Sequence, residues 1–181
     1  MTNINNRAVF LDRDGVINEV VFHGSEKPSS PWKFEEFKLI PGIEKPLDEL
    51  SSMGFYLFIV SNQPDISRGY IEAGTTEKIN QIIYKRLPIR DIVTCPHDDH
   101  HDCTCRKPKP GMLIDLSGKW NIDLKKSFLI GDNWKDMEAG KAAGSRNILV
   151  DKPYNRNVKC DHRVKDLYEA VELIKQVTNI K

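Results

Sequence analysis

Apolar positions along the chain come in two alternating kinds of segment. Short unbroken runs at Ala8–Leu11, Tyr56–Val60, Ser127–Ile130 and Asn147–Val150, with a weaker one at Asp91–Thr94, have the length and composition of strands buried on both faces. Between them the apolar residues recur at helical spacing. Pro41-Gly42 opens a helix with Ile43, Leu47 and Leu50 on one face and Gly54 at its end. Ile79, Ile82 and Ile83 form a core-facing stripe behind the candidate caps Thr75 and Thr76. Met112, Leu113, Leu116 and Trp120 face inward from a helix over Gly111–Trp120, and Trp134–Ala143 is a helix that Gly144 ends. Leu167, Ala170, Val171 and Ile174 line a last helix over Leu167–Val177. The alternation predicts an α/β fold, a three-layer α/β/α sandwich around a mainly parallel, Rossmann-like sheet with right-handed crossovers.

Two stretches break the pattern. Asn18–Lys38 combines Gly24, Pro28, Ser29, Ser30 and Pro31 with the aromatics Phe22, Trp32, Phe34 and Phe37, an irregular excursion expected to pack beside a functional site. Cys95–Pro110 is too polar to fold unaided. At 181 residues the chain is expected to form one domain over 1–181, without repeats and without a large cap, so loops must shape any pocket.

The polar clusters sit where apolar runs stop. Asp12 and Asp14, Ser61 with Asn62, Lys107 in a loop after a strand, and Asp132 with Asp136 all fall at or beyond the carboxyl ends of expected strands. Ligands of open α/β sheets bind in that crevice, so these groups can converge at one edge. Gly15 lets the backbone turn after Asp14. Asp136 reads either as a helper behind a metal or as a helix-surface aspartate.

Charge narrows the partners. Lys+Arg number 27 against 26 Asp+Glu, which lacks the basic footprint of a nucleic-acid or anionic-membrane binder. The segment Met1–Arg7 is polar and no stretch approaches a membrane span, so a cytoplasmic protein is expected. Three of the four cysteines, Cys95, Cys103 and Cys105, crowd one loop while Cys160 stands apart, which is no disulfide framework. Cys-x-His followed by Cys-x-Cys offers three thiolates and an imidazole, the set that closes a tetrahedral structural Zn²⁺ site over 95–105. His97, His100 and His101 compete for the fourth place, and His97 is preferred because its spacing pairs it with Cys95. Such a clamp would fix Arg106 and Lys107, which directly follow Cys105.

Carboxylates, a hydroxyl, an amide and a lysine at one sheet edge, without a glycine-rich phosphate loop, suit phosphoryl transfer to an aspartate. One carboxylate takes the phosphoryl group, a second moves a proton, and Mg²⁺ joins the negative partners through Asp12, the Asp14 backbone carbonyl and Asp132. Lys107 and the Ser61 hydroxyl balance charge on the transferring group.

In order and content, Phe10-Leu11-Asp12-Arg13-Asp14-Gly15-Val16-Ile17-Asn18, Val60-Ser61-Asn62-Gln63, Cys95-Pro96-His97 through Cys103-Thr104-Cys105-Arg106-Lys107-Pro108, and Ile130-Gly131-Asp132 resemble the haloacid dehalogenase superfamily of phosphatases. Over Ala8 to Val150 they look like the branch that holds heptose-bisphosphate and histidinol-phosphate phosphatases. The resemblance implies Asp12 as nucleophile, Asp14 as general acid/base, Ser61 and Lys107 as phosphoryl stabilisers, Asp132 as Mg²⁺ ligand and His97 as zinc ligand. It places Asn62 and Gln63 in a phosphate-binding stretch and makes Arg106 a substrate contact. Asn133 stands where a lysine is common, and Pro64-Asp65 replaces small residues. Arg68-Gly69-Tyr70 and Lys107–Met112 look like the heptose enzymes, whereas the short His97–Cys103 spacing matches the histidinol-phosphate ones. The expectation is a monomeric, Mg²⁺-dependent phosphatase of a small phosphorylated metabolite. A heptose bisphosphate cleaved at C7 leads, histidinol phosphate is the alternative, and a zinc-stabilised binding module without catalysis is the remoter one.

Overall fold

The computed structural model describes residues 6–24 and 27–179, so the polar segment Met1–Arg7 on which the cytoplasmic expectation rests falls almost wholly outside it. Its strands are β1 (Arg7–Leu11), β2 (Phe55–Asn62), β3 (Asp91–Cys95), β4 (Phe128–Gly131), β5 (Arg146–Val150) and β6 (His162–Val164). They form one six-stranded sheet in the order β3-β2-β1-β4-β5-β6, parallel at every pairing. The helices are α1 (Glu44–Ser52), α2 (Pro64–Ser67), α3 (Thr75–Arg86), α4 (Gly111–Trp120), α5 (Trp134–Ala143) and α6 (Leu167–Thr178).

Alternate side chains of each strand feed two cores. Val9, Leu11, Leu57, Ile59 and Ile130 pack with Leu47 and Leu50 of α1, Ile79 and Ile83 of α3, and Val171 and Ile174 of α6. On the other face Ala8, Phe10, Phe58, Val60 and Leu129 meet Met112, Leu113 and Leu116 of α4 and Ala139 of α5. The three-layer reading therefore holds. Strand order reverses at β1, whose neighbours are β2 on one side and β4 on the other, and this switch point brings the residues after β1 and β4 together.

Three details differ from the sequence reading. A sixth strand, β6, arises in a stretch read as polar loop, because Ile148–Val150 offers a free edge to His162–Val164. The short helix α2 follows β2 directly, with Pro64 pre-set for a first helical position. Helix α1 starts at Glu44, since Gly42 at φ 75° makes a left-handed turn ahead of it. Among the described residues of the 18–38 excursion, Val21 and Ser29 form a bridge, and Phe34–Glu36 is a 3-10 turn. No helix among the described residues is long and apolar enough to cross a membrane.

Candidate active site

Asp12 leaves β1 with its amide donating to Ile130 O of β4 at 2.9 Å, so it still rides on the sheet. Beside it, the Lys107 ammonium is buried and fully spent: it lies 2.9 Å from Asp12 Oδ1, 2.5 Å from Asp136 Oδ1 and 2.7 Å from Val60 O. Lys107 is aimed there by Asn62, whose amide exchanges two bonds with the Lys107 backbone, accepting from its N at 3.0 Å and donating to its O at 2.9 Å. The end of β2 thus fixes the exit of the cysteine loop.

Asp136 is a buried residue and not a surface one. It is the third residue of α5 in a capping box: Asn133 accepts from Lys135 N at 3.1 Å, and Asp136 Oδ2 accepts from Asn133 N at 3.0 Å. Gly131 makes room for it, because a Cβ there would overlap the Asp136 carboxylate. Asp132 is held from behind: Asn155 donates to its carbonyl at 2.7 Å, and the Tyr154 hydroxyl donates to Oδ2. Gly15, at φ 90°, lies so close that a Cβ would overlap the Asp132 carboxylate.

Asp14 sits in a separate cage. Arg13, a buried guanidinium, reaches both its oxygens at 3.1 Å, and Asn18, Ser30 and Gln63 donate at 2.8, 2.9 and 2.6 Å. The two aspartates are consequently tuned in opposite directions. Burial pushes Asp12 well above the usual carboxylate range, Asp136 and Asp132 reinforce this, and Lys107 opposes it. Burial also pushes Asp14 upward, but the Arg13 charge and the hydrogen bonds from Asn18, Gln63 and Ser30 outweigh it and leave Asp14 below its ordinary value. Asp132 is pushed up to about 7, by burial and then by Asp136. Two carboxylates in one cleft are thus held at different proton affinities by their surroundings.

Two groups can take a metal. Asp12, Asp132 and Asp136 present carboxylate oxygens within 4.8 Å of one another, an all-oxygen set suited to a hard divalent cation. The raised proton affinities of Asp12 and Asp132 reflect negative charge that Lys107 alone does not balance. The second group is Cys95, His97, Cys103 and Cys105. Its sulfurs lie 3.2 to 3.6 Å apart and His97 Nδ1 is 3.4 Å from Cys105 Sγ. A tetrahedron with Zn–S bonds of about 2.3 Å has edges of roughly 3.7 Å, so the cage has the size of a zinc site. His101 stands outside it, accepting from Asp98 N, and His100 is not in the cluster.

A cavity of about 270 Å³ opens above Asp12, Asp14 and Lys107, with Asn62, Arg106, Asp132 and Asn133 also on its walls. Arg106 is pinned by the cysteine loop, donating to Asp99 at 2.7 Å and to His97 O at 3.2 Å. Ser61 and Gln63 lie behind that surface: Gln63 is fully buried and bridges Asp14 and the Ser61 hydroxyl. Asn133, which lines the cavity, uses its Oδ1 to cap α5. Sequence reasoning passed over Arg13, Ser30, Tyr154 and Asn155. Only Arg13 carried a local signal, being flanked by Asp12 and Asp14, whereas the other three reach the site by long-range packing.

The geometry has relatives. A D-glycero-beta-D-manno-heptose-1,7-bisphosphate 7-phosphatase of Helicobacter pylori is 34% identical over 181 aligned positions, covering 94% of this chain and 98% of that protein. This chain belongs to the haloacid dehalogenase-like phosphatases. The phosphatase also matches the family model described as HAD-hyrolase-like over residues 104–170. A Campylobacter jejuni enzyme named for the alpha anomer of the same heptose bisphosphate is 32% identical, covering 94% of this phosphatase and 96% of the relative. In fold, the phosphatase matches the D,D-heptose 1.7-bisphosphate phosphatase of B. bronchiseptica, crystallised with magnesium and phosphate, with a TM-score of 0.82 at 24% identity over 94% and 99% of the two chains.

Proposed function

We propose that this phosphatase, acting as one domain and a monomer in the cytoplasm, releases the C7 phosphate of a D-glycero-D-manno-heptose 1,7-bisphosphate. The observation that supports it best is Asp12 bonded to the buried Lys107 on the floor of a polar cavity, with Asp14 alongside. An Asp12 carboxylate oxygen attacks phosphorus, the bond from phosphorus to the sugar oxygen breaks, and an acyl phosphate forms on Asp12. Asp14 gives the departing sugar oxygen a proton. The entering phosphate dianion raises the proton affinity of Asp14, so substrate binding loads the proton that its cage otherwise disfavours. In the second half Asp14 takes a proton from water, which attacks phosphorus and frees Asp12 with inorganic phosphate. Lys107 neutralises charge on the transferring oxygens, Asn62 keeps Lys107 in place, and Ser61 supports Gln63 and through it Asp14.

Mg²⁺ would be held by Asp12, Asp132 and the Asp14 carbonyl, with Asp136 behind them on Lys107, and would supply positive charge that favours ionised Asp12 and screens the phosphoryl group. Zn²⁺ would be held by Cys95, His97, Cys103 and Cys105 and would fix Arg106 and Lys107 at the cavity.

The test is phosphate release with Mg²⁺ from both heptose 1,7-bisphosphate anomers, histidinol phosphate and common hexose phosphates, with Asp12→Asn in parallel. We expect preference for a heptose bisphosphate and no turnover by the variant. Preference for histidinol phosphate would replace the substrate, and a fully active Asp12→Asn would end the aspartyl-phosphate mechanism.

A further inference from the structure

Asp65 is a carboxylate that the chemistry above does not use, yet it is only 7% exposed. A buried carboxylate persists where its lone pairs are satisfied, and here they are satisfied by two different parts of the chain. Its Oδ2 accepts from Ser29 Oγ at 3.0 Å and from Trp32 Nε1 at 2.9 Å, both on the 18–38 excursion. Its Oδ1 accepts from Arg68 Nη1 at 3.0 Å. The Trp32 ring lies between His23, at 3.6 Å between centroids, and Tyr70, at 4.9 Å. Ser29 exchanges two backbone bonds with Val21, and the next residue, Ser30, donates to Asp14. Arg68 is gripped on its other side by Asp98 of the cysteine loop, at 2.6 and 2.8 Å. One carboxylate therefore joins three segments, and Ser29, Ser30, Asp65 and Arg68 together make a wall of the cavity.

We propose that Asp65 is a positioning residue for substrate recognition: it seats the Ser29–Trp32 strap and aims Arg68, so that their hydroxyl and guanidinium groups meet the polyhydroxylated part of the substrate beyond the reacting phosphate. This rests on the reading of the cavity as a sugar-phosphate site. Hydroxyls and a guanidinium recognise a polyol by hydrogen bonds, and a small aromatic phosphate ester makes no use of them.

The experiment compares wild type, Asp65→Ala, Asp65→Asn, Arg68→Ala and the Asp65→Ala/Arg68→Ala double variant on p-nitrophenyl phosphate and on whichever sugar phosphate the wild type prefers. Wild-type preference reads the proposed substrate, while the ratio between the two substrates reads Asp65, so the two ideas fail separately. For Asp65→Ala we expect KM for the sugar phosphate to rise about tenfold with kcat within about threefold, and kcat/KM for the aryl ester to stay within about twofold. Asp65→Asn keeps an acceptor for the strap and recovers part of the loss. The double variant should lose less than the product of the two single losses, because part of what Asp65 contributes is the placing of Arg68. Hydrogen exchange gives a readout independent of substrate: the Val21 and Ser29 amides speed up in Asp65→Ala while β2 amides keep their protection. Equal losses on both substrates, additive losses in the double variant, or unchanged exchange at Val21 and Ser29 would each overturn the proposal.

Discussion

Replacing Lys107 by Met keeps most of the stem volume and removes one buried charge, which isolates the electrostatic role of that ammonium. In the native protein it lies within 2.9 Å of Asp12 and 2.5 Å of Asp136, and the Asp136 side chain is only 1% exposed. Stranding a buried charge by deleting its partner costs about 3–5 kcal/mol. Proton uptake limits the loss, because Asp12 already has a raised proton affinity and loses the cation that lowers it. The sign follows from linkage. A carboxylate whose folded pKa lies above its unfolded value binds a proton that the unfolded chain has released, so stability falls as pH rises between the two. Each proton that the folded variant holds in this range and the folded wild type does not makes the variant lose about 1.4 kcal/mol more per pH unit than wild type. Urea unfolding in Mg²⁺-free buffer, without chelator so that any zinc stays, should give a difference near 1–2 kcal/mol at pH 5.5 that grows to about 3–4 kcal/mol at pH 7. Turnover with Mg²⁺ should fall at least about a hundredfold. A variant as stable as wild type at pH 7, or a difference that ignores pH, would refute the account of Lys107 as the counter-charge of the cluster.

Gly131→Ala places a methyl where the Asp136 carboxylate packs, so we expect a loss of about 1–3 kcal/mol in thermal or urea unfolding. A fall in kcat should accompany it as Asp136 and Lys107 shift; full activity would show the packing to be looser than described. Removing zinc with a strong chelator should release one equivalent of metal, expose three thiols to a thiol reagent and lower thermal stability, and excess Mg²⁺ should restore none of these. Retention of both stability and activity after complete removal would make the cage dispensable. Ser127→Ala deletes a buried hydroxyl that accepts from Ala8 N at 2.9 Å and donates to Asp123 O at 2.7 Å, and should cost about 1–3 kcal/mol without changing KM.

Much of this protein was legible in one dimension because the signals concerned are local. An apolar run that stops at a charged pair marks both a buried strand and its functional end, which is why β1 with Asp12 and Asp14, and β4 with Asp132, could be placed from sequence. The cysteine cluster was legible for the same reason, since its four candidate ligands lie within eleven consecutive residues. What sequence left open depends on pairings between distant segments. Strand order sets Asp132 beside Asp12, and no property of either residue states that order. Asp136 could be read as surface or site because a carboxylate near a helix start suits both; the Gly131 gap and the Lys107 ammonium bury it. β6 is three residues with a polar composition, and it exists because β5 leaves an edge to be paired. Asp65 stood out in sequence only as part of Pro64-Asp65 in place of small residues, and the Trp32 indole and the Ser29 hydroxyl, more than thirty residues away, make it a junction. Hydrophobic periodicity decides which face of an element is buried. Which polar groups then share the buried space is decided by the packing that satisfies them.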